Sequence, residues 1–319
     1  MAAPKLISSR IDPLLSNLLL SYKNEGNFIG DSVFTQCMVP REAGKIGYLD
    51  NAHLRGGNSK RGVFDLTPHR MEHSVGNDKT FAIDYYDKEM LVPYRLQQQS
   101  QAPFNQKKIA SFRLMESAML ENEITVANTM TSTSVLSQNT TLTGTARFDQ
   151  FDTSTPEDVI ETGRNTVLSK TGVLPNSIII PYGVLSVLKR HPFFLSQNRA
   201  LNRLSDQVVI ATIKEFFGFE NVYVAKAINV GTQEGQAETM SYVWGKDMVI
   251  FYQNQSAEND AAILAPSFGY VFKLQGQDMY VDTRLEPTIQ KGELVRVNWA
   301  RQYKVLDANL GFLVKSVIN

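Results

Sequence analysis

The chain has 319 residues, 43% of them hydrophobic, which is enough apolar material for one large core or two modest ones. Thirty-two Lys and Arg balance thirty-two Asp and Glu, which argues against a protein that grips nucleic acid by bulk charge but not against one that surrounds it. A single cysteine, Cys37, excludes an intrachain disulfide and a thiolate metal cage, and it points to a reducing compartment. No apolar run reaches the ~18 residues of a membrane span, and Lys5, Arg10, Asp12 and Pro13 break up any secretory signal. The expectation is a soluble intracellular product without a membrane partner.

Asp12-Pro13 is a cap and first-turn pair. It opens a short predicted helix over 14–22 with Leu14, Leu15, Leu18 and Leu19 on one side. The polar stretch that follows offers nothing to bury this face, so the arm is expected to dock elsewhere, such as on a neighbouring chain. Residues 29–40 form a compact apolar segment ending in Met38-Val39-Pro40. From 41 to 77 the chain turns glycine-rich and basic, with Lys45, Arg55, Lys60, Arg61 and Arg70. Short alternating runs at 45–49 and 63–67 flank a polar tip at 54–60, which reads as a long β-hairpin. Its apolar content is too thin for a core of its own, so it needs a partner to lie on. Residues 80–92 read as helix-like or mixed, closed by Pro93.

Residues 105–131 contain neither Gly nor Pro. Ile109, Phe112, Met115, Met119, Leu120, Ile124, Ala127 and Met130 recur at three- and four-residue steps, which predicts one helix with a broad apolar stripe. At 1.5 Å per residue it is roughly 40 Å long, a spine for the domain. Arg113, Glu116, Glu121 and Glu123 fall mostly off the stripe, open to water or a second chain. A polar stretch with a strand-like run at 140–143 follows. Thr155-Pro156-Glu157-Asp158 then starts a second helix that ends at Gly172.

From Ser177 strand and helix alternate. A buried strand at 177–181 precedes helices at 182–190 and 205–217 and a strand at 221–226. Further strands are expected at 248–252, 270–274, 279–284 and 294–305, and an apolar run at 311–318 completes the pattern. No internal repeat is present.

Few residues suggest chemistry. His69-x-x-Glu72-His73 has an inverted zinc-peptidase spelling, in which two His on one helical face hold a metal and the Glu activates water. It sits in the glycine-bounded hairpin with no further ligand marked, so an exposed strand is the expected reading. His53 and His191 are isolated, and Cys37 reads as core. Gly56-Gly57-Asn58-Ser59-Lys60-Arg61-Gly62 misses the phosphate-loop spacing. The expectation is a non-enzyme without cofactor or metal. The hairpin's basic residues, lacking interleaved aromatics, are expected to face acidic protein surface.

The order of parts resembles the major capsid proteins of tailed bacteriophages with the Hong Kong 97-type fold. The residues that carry the resemblance are Phe28-Ile29-Gly30-Asp31-x-Val33-Phe34 leading to Val39-Pro40, and Gly44-Lys45-Ile46-Gly47-Tyr48 entering the hairpin. Phe81-Ala82-Ile83-Asp84-Tyr85, Ser177-Ile178-Ile179-Ile180-Pro181, Phe268-Gly269-Tyr270-Val271-Phe272 and Gly311-Phe312-Leu313-Val314 complete the set. The resemblance implies an α+β chain. Its parts would be an N-terminal arm (1–40), an extended loop (41–77), a peripheral domain with the spine (78–176), an axial α/β domain (177–298) and C-terminal strands returning to the peripheral domain (299–319). It implies a shell subunit that assembles into pentamers and hexamers around double-stranded DNA in a virion, built in the host bacterial cytoplasm. With no long coiled N-terminal region, the resemblance implies a separate scaffolding protein or none, and it leaves portal and decoration proteins open as further partners. An encapsulin-like cargo compartment is the alternative. Lys45, Tyr48, Arg55, Lys60 and Arg61 of the hairpin, and Glu116, Glu121 and Glu123 of a neighbouring spine, are the expected assembly interface.

Overall fold

The computed structural model describes residues 10–11, 28–49, 75–99, 105–197, 204–232, 236–254, 266–276, 278–286 and 292–319. The arm helix expected at 14–22, the hairpin tip at 54–60 and the run at 63–67 lie outside these residues.

The N-terminal portion gives strand β1 (Arg10–Ile11), a short helix α1 (Gly30–Val33), and strands β2 (Thr35–Val39), β3 (Ala43–Leu49), β4 (Val75–Ala82) and β5 (Asp84–Pro93). Helix α2 (Tyr94–Gln99) and the spine α3 (Gln106–Met130) follow. Then come β6 (Asn139–Thr141), α4 (Pro156–Thr171), β7 (Ser177–Pro181), α5 (Tyr182–Leu188), α6 (Pro192–Gln197), α7 (Asp206–Phe217), β8 (Asn221–Ala225), β9 (Ile228–Val230) and β10 (Met240–Tyr242). Strands β11 (Met248–Phe251), β12 (Gly269–Leu274), β13 (Met279–Glu286), β14 (Gly292–Val305) and β15 (Gly311–Lys315) complete the order.

The spine forms as expected because nothing in its interior breaks it and Asn105 caps it. The Asn105 Oδ1 accepts from the amides of Lys107 and Lys108 at 3.1 and 3.3 Å. Its buried face is rotated from the predicted stripe. Ala110, Leu114, Met115, Ala118, Val126, Ala127 and Met130 are buried, whereas Ile109, Phe112, Leu120 and Ile124 are only partly so. Ala110, Leu114, Met115 and Ala118 pack against Val281, Val295, Val297 and Trp299 of the sheet.

Two main sheets meet the spine. One is ordered β1-β13-β14-β12-β2, with β5 also on β14. The 14-residue β14 is its axis, pairing with β13, with β5 over ten residues, and with β12 at its far end. Residues 80–92 are therefore strands, where a helix-like or mixed stretch was expected. The antiparallel ladders to β3 and β14 decide the matter, and their partners are remote in sequence. The other sheet runs β6-β15-β11-β7-β8 and is mixed. Ile178, Ile180, Met248 and Ile250 face a core under α4, α5 and α7, while Ile179, Val249 and Phe251 face the spine residues Val126, Ala127 and Met130. Strands covered on both faces read as unbroken apolar runs, which is why β7 and β11 stand out in the sequence.

Strands β3 and β4 form a separate antiparallel pair, with Ala43 opposite Ala82 and Leu49 opposite Val75. This is the base of the expected hairpin, reached from 75–82 rather than from 63–67. The sheets do not follow the expected chain division. Within 177–298, β12 and β13 join the first sheet; within 299–319, β15 joins the second, between β11 and β6. Each strand goes where its ladder partner is, whatever its place in the chain.

Candidate functional site

The segment 28–35 is where the spine and both sheets are tied together. Glu123 of α3 is 1% exposed. Its Oε2 accepts from the amides of Ile29 and Gly30 at 2.9 and 2.6 Å, and its Oε1 accepts from the indole Nε1 of Trp244 at 2.5 Å. Burial pushes its carboxyl above the ordinary range, against the pull of those three donors. Glycine at position 30 allows this approach, since a Cβ there would lie 2.9 Å from the Glu123 Oε2 and would force one of the two to shift.

One residue on, Asp31 begins a second polar cluster. The Arg301 Nη1 donates to both its oxygens at 2.6 and 2.7 Å, and the Tyr303 hydroxyl donates at 2.7 Å. Arg301 Nε also donates to Asp278 at 3.0 Å, and Lys273 Nζ pairs with Asp278 at 3.2 Å. Burial raises the Asp31 carboxyl, but the charges of Arg301 and Lys273 and the Tyr303 hydroxyl outweigh it, leaving it below the ordinary range. Burial likewise works against the Arg301 charge, and Asp31 and Asp278 more than restore it. A third set joins the Ser32 carbonyl to Tyr223 and Gln253, at 3.1 and 2.7 Å. Asp31 and Asp278 balance Arg301 and Lys273, and Glu123 is held by three uncharged donors, so these side chains are engaged with one another within the chain. It is a clamp.

The expected interface residues are scattered. Lys45 is exposed on β3. Tyr48 lies in β3 with its Cα opposite Gly76. Arg55, Lys60 and Arg61 are outside the described residues. Glu116 is exposed on the spine, lining a groove of about 560 Å³ with Phe28, Arg113, Leu120, Lys226 and Ile228. Glu121 is half-exposed and pairs with Lys88 of β5 at 2.7 Å. Glu123 cannot meet a neighbour, because it is buried and its oxygens are engaged within the chain. Trp244 and Arg301 were not picked out from the sequence, and Asp31 entered only as part of the run 28–34 that carries the resemblance; the rarity of Trp, which occurs twice, was the one further signal.

His191 is buried, with its Nε2 3.0 Å from the Ser154 hydroxyl and its Nδ1 accepting from the Phe193 amide. It holds the start of α6. His53, His69, Glu72 and His73 lie outside the described residues. Among the described residues no cluster of three His, Cys, Asp or Glu side chains is placed to hold a metal, and no helix is long and apolar enough to cross a membrane.

No family model matches the chain. It is 28% identical over 317 residues to the major capsid protein of Burkholderia phage BcepMu, covering 96% of each chain. Among solved structures, a phage-related protein from Bordetella bronchiseptica superposes with a TM-score of 0.75 at 21% identity, covering 97% of this chain and 98% of that one. The mature capsid subunit of bacteriophage PhiM1 gives a TM-score of 0.54 at 11% identity, covering 98% and 92%. The fold is the Hong Kong 97-like fold of phage capsid subunits. Over nearly its whole length the chain is similar to phage major capsid proteins, the resemblance that its order of parts carried.

Proposed function

We propose that this chain builds the icosahedral head of a tailed phage, assembling into pentamers and hexamers that close around double-stranded DNA. The observation that carries this reading is the alignment with a phage major capsid protein over 96% of both chains, on a shared fold. The chain's physical character agrees with it. The two-stranded hairpin base packs on the first sheet through Ile46 and Phe81, which fixes the root of the loop proposed to reach a neighbouring subunit. Net neutrality suits a wall that neither captures nor repels packed DNA.

In this reading 41–77 is the extended loop, 78–176 the peripheral domain and 177–298 the axial domain, with strands exchanged between the two. Lys45 and Glu116, both exposed, take part in the subunit interface, together with the hairpin residues Tyr48, Arg55, Lys60 and Arg61. Separate scaffolding, portal and decoration proteins act alongside it, and assembly occurs in the host cytoplasm. The role is structural, without catalysis or cofactor.

The test is negative-stain electron microscopy of the purified protein, alone and co-expressed with its neighbouring phage genes. Rings with five- and six-fold symmetry, or closed shells, are expected. A monomer under every assembly condition overturns the reading. Shells that enclose a protein cargo in place of DNA assign the chain to a compartment instead of a head.

A further inference from the structure

The β9–β10 pair stands open to solvent and gathers its large apolar side chains on one face. Ile228 stands opposite Tyr242 and Val230 opposite Met240, so all four share one face. That face is open to solvent, with exposures of 49%, 47%, 46% and 61%, and none of the four belongs to a core. The polar pair Asn229 and Ser241, hydrogen-bonded at 2.7 Å, occupies the reverse face. A strand pair that gathers four large apolar side chains on one open face presents a contiguous apolar patch of the kind that a partner covers.

The surroundings indicate which partner. At the foot of the hairpin, the groove beside the spine carries Arg113 and Lys226 together with Glu116. Arg113 and Glu116 are one helical turn apart, both exposed, and neither has an ion-pair partner among the described residues. A rim with both signs complements a surface that also carries both signs, which a chain of zero net charge supplies. A phosphate backbone or an anionic lipid surface would call for a rim of one sign.

We propose that the apolar face of β9–β10, with the mixed-charge groove at its foot, is a contact between two copies of this chain within a capsomer. The inference rests on the shell reading above and locates one of its interfaces. The contact is heterologous, as ring closure at five and six subunits requires, so this face meets a different surface on the next copy.

The test compares Val230→Asp and Met240→Asp with Ser241→Asp on the reverse face, in the full chain. Thermal melting of the unassembled subunit should be close to wild type for all three, because none of these side chains is in a core. The fraction in rings and shells, measured by sedimentation and electron microscopy, should fall at least about tenfold for the first two variants and little for the third. Should the aspartates disturb folding, Val230→Ser and Met240→Ser carry the same comparison. Wild-type yields of rings and shells from all the variants overturn this interface and leave the shell reading standing. A wild-type chain that never assembles overturns the shell reading first. Normal assembly with loss of a co-expressed decoration protein assigns the face to that protein and overturns the proposal.

Discussion

A buried carboxylate with three donors is sensitive to the loss of one oxygen. Glu123→Gln keeps the shape of the side chain but turns an N–H toward either the Ile29 and Gly30 amides or the Trp244 indole. An unmet buried donor costs about 1–3 kcal/mol, so chemical denaturation should show a loss of that size. Asp31 has a different signature. Its folded carboxyl lies below the ordinary range, so the native state binds fewer protons than the unfolded chain in acid. Its contribution is complete above the unfolded value of about 3.9 and is lost as pH falls through the lower folded value. Asp31→Ala should cost about 3 kcal/mol near neutrality, the low end for stranding a buried charge, because Asp278 keeps its own bond to Arg301. The gap between wild type and variant should narrow as unfolding is measured at progressively lower pH below about 4. Neither cluster was legible in the sequence. Gly30 and Trp244 are 93 and 121 residues from Glu123, and helical periodicity placed that glutamate among the exposed acids.

At the level of elements, local signals carried most of the reading. The spine was expected at 105–131 and spans Gln106–Met130, because its cap and its freedom from breakers are local properties. Asn105→Ala should lower the melting temperature through a loss of about 1 kcal/mol, while Asn105→Ser or Asn105→Asp should recover most of it. The second helix was equally legible: Pro156 begins it, and Gly172, at φ 72°, closes it in the left-handed region where a side chain is strained. Residues 80–92 were not. Half of β5 is solvent-facing, and its sequence carries mixed polarity with no strong period. Its conformation is set by β14, some two hundred residues further on. The face that the spine buries was misread for a related reason. Periodicity finds the bulky apolar positions, whereas Ala110 and Ala118 belong to the buried face that packs against the sheet.

For the whole molecule, the order of elements was read more surely than their partnership. The strands near 177, 248, 270, 279, 294 and 311 are all present, yet they are dealt between two sheets in an order no local signal records. Strand β15 sits between β6 and β11, with β7 and β8 beyond. On the ribosome, residues 311–315 emerge after the other four strands of that sheet, so the sheet has a gap in its interior until they arrive. A chain still being synthesised therefore lacks the strand that joins β11 to β6, and this sheet closes only with residues 311–315 in place.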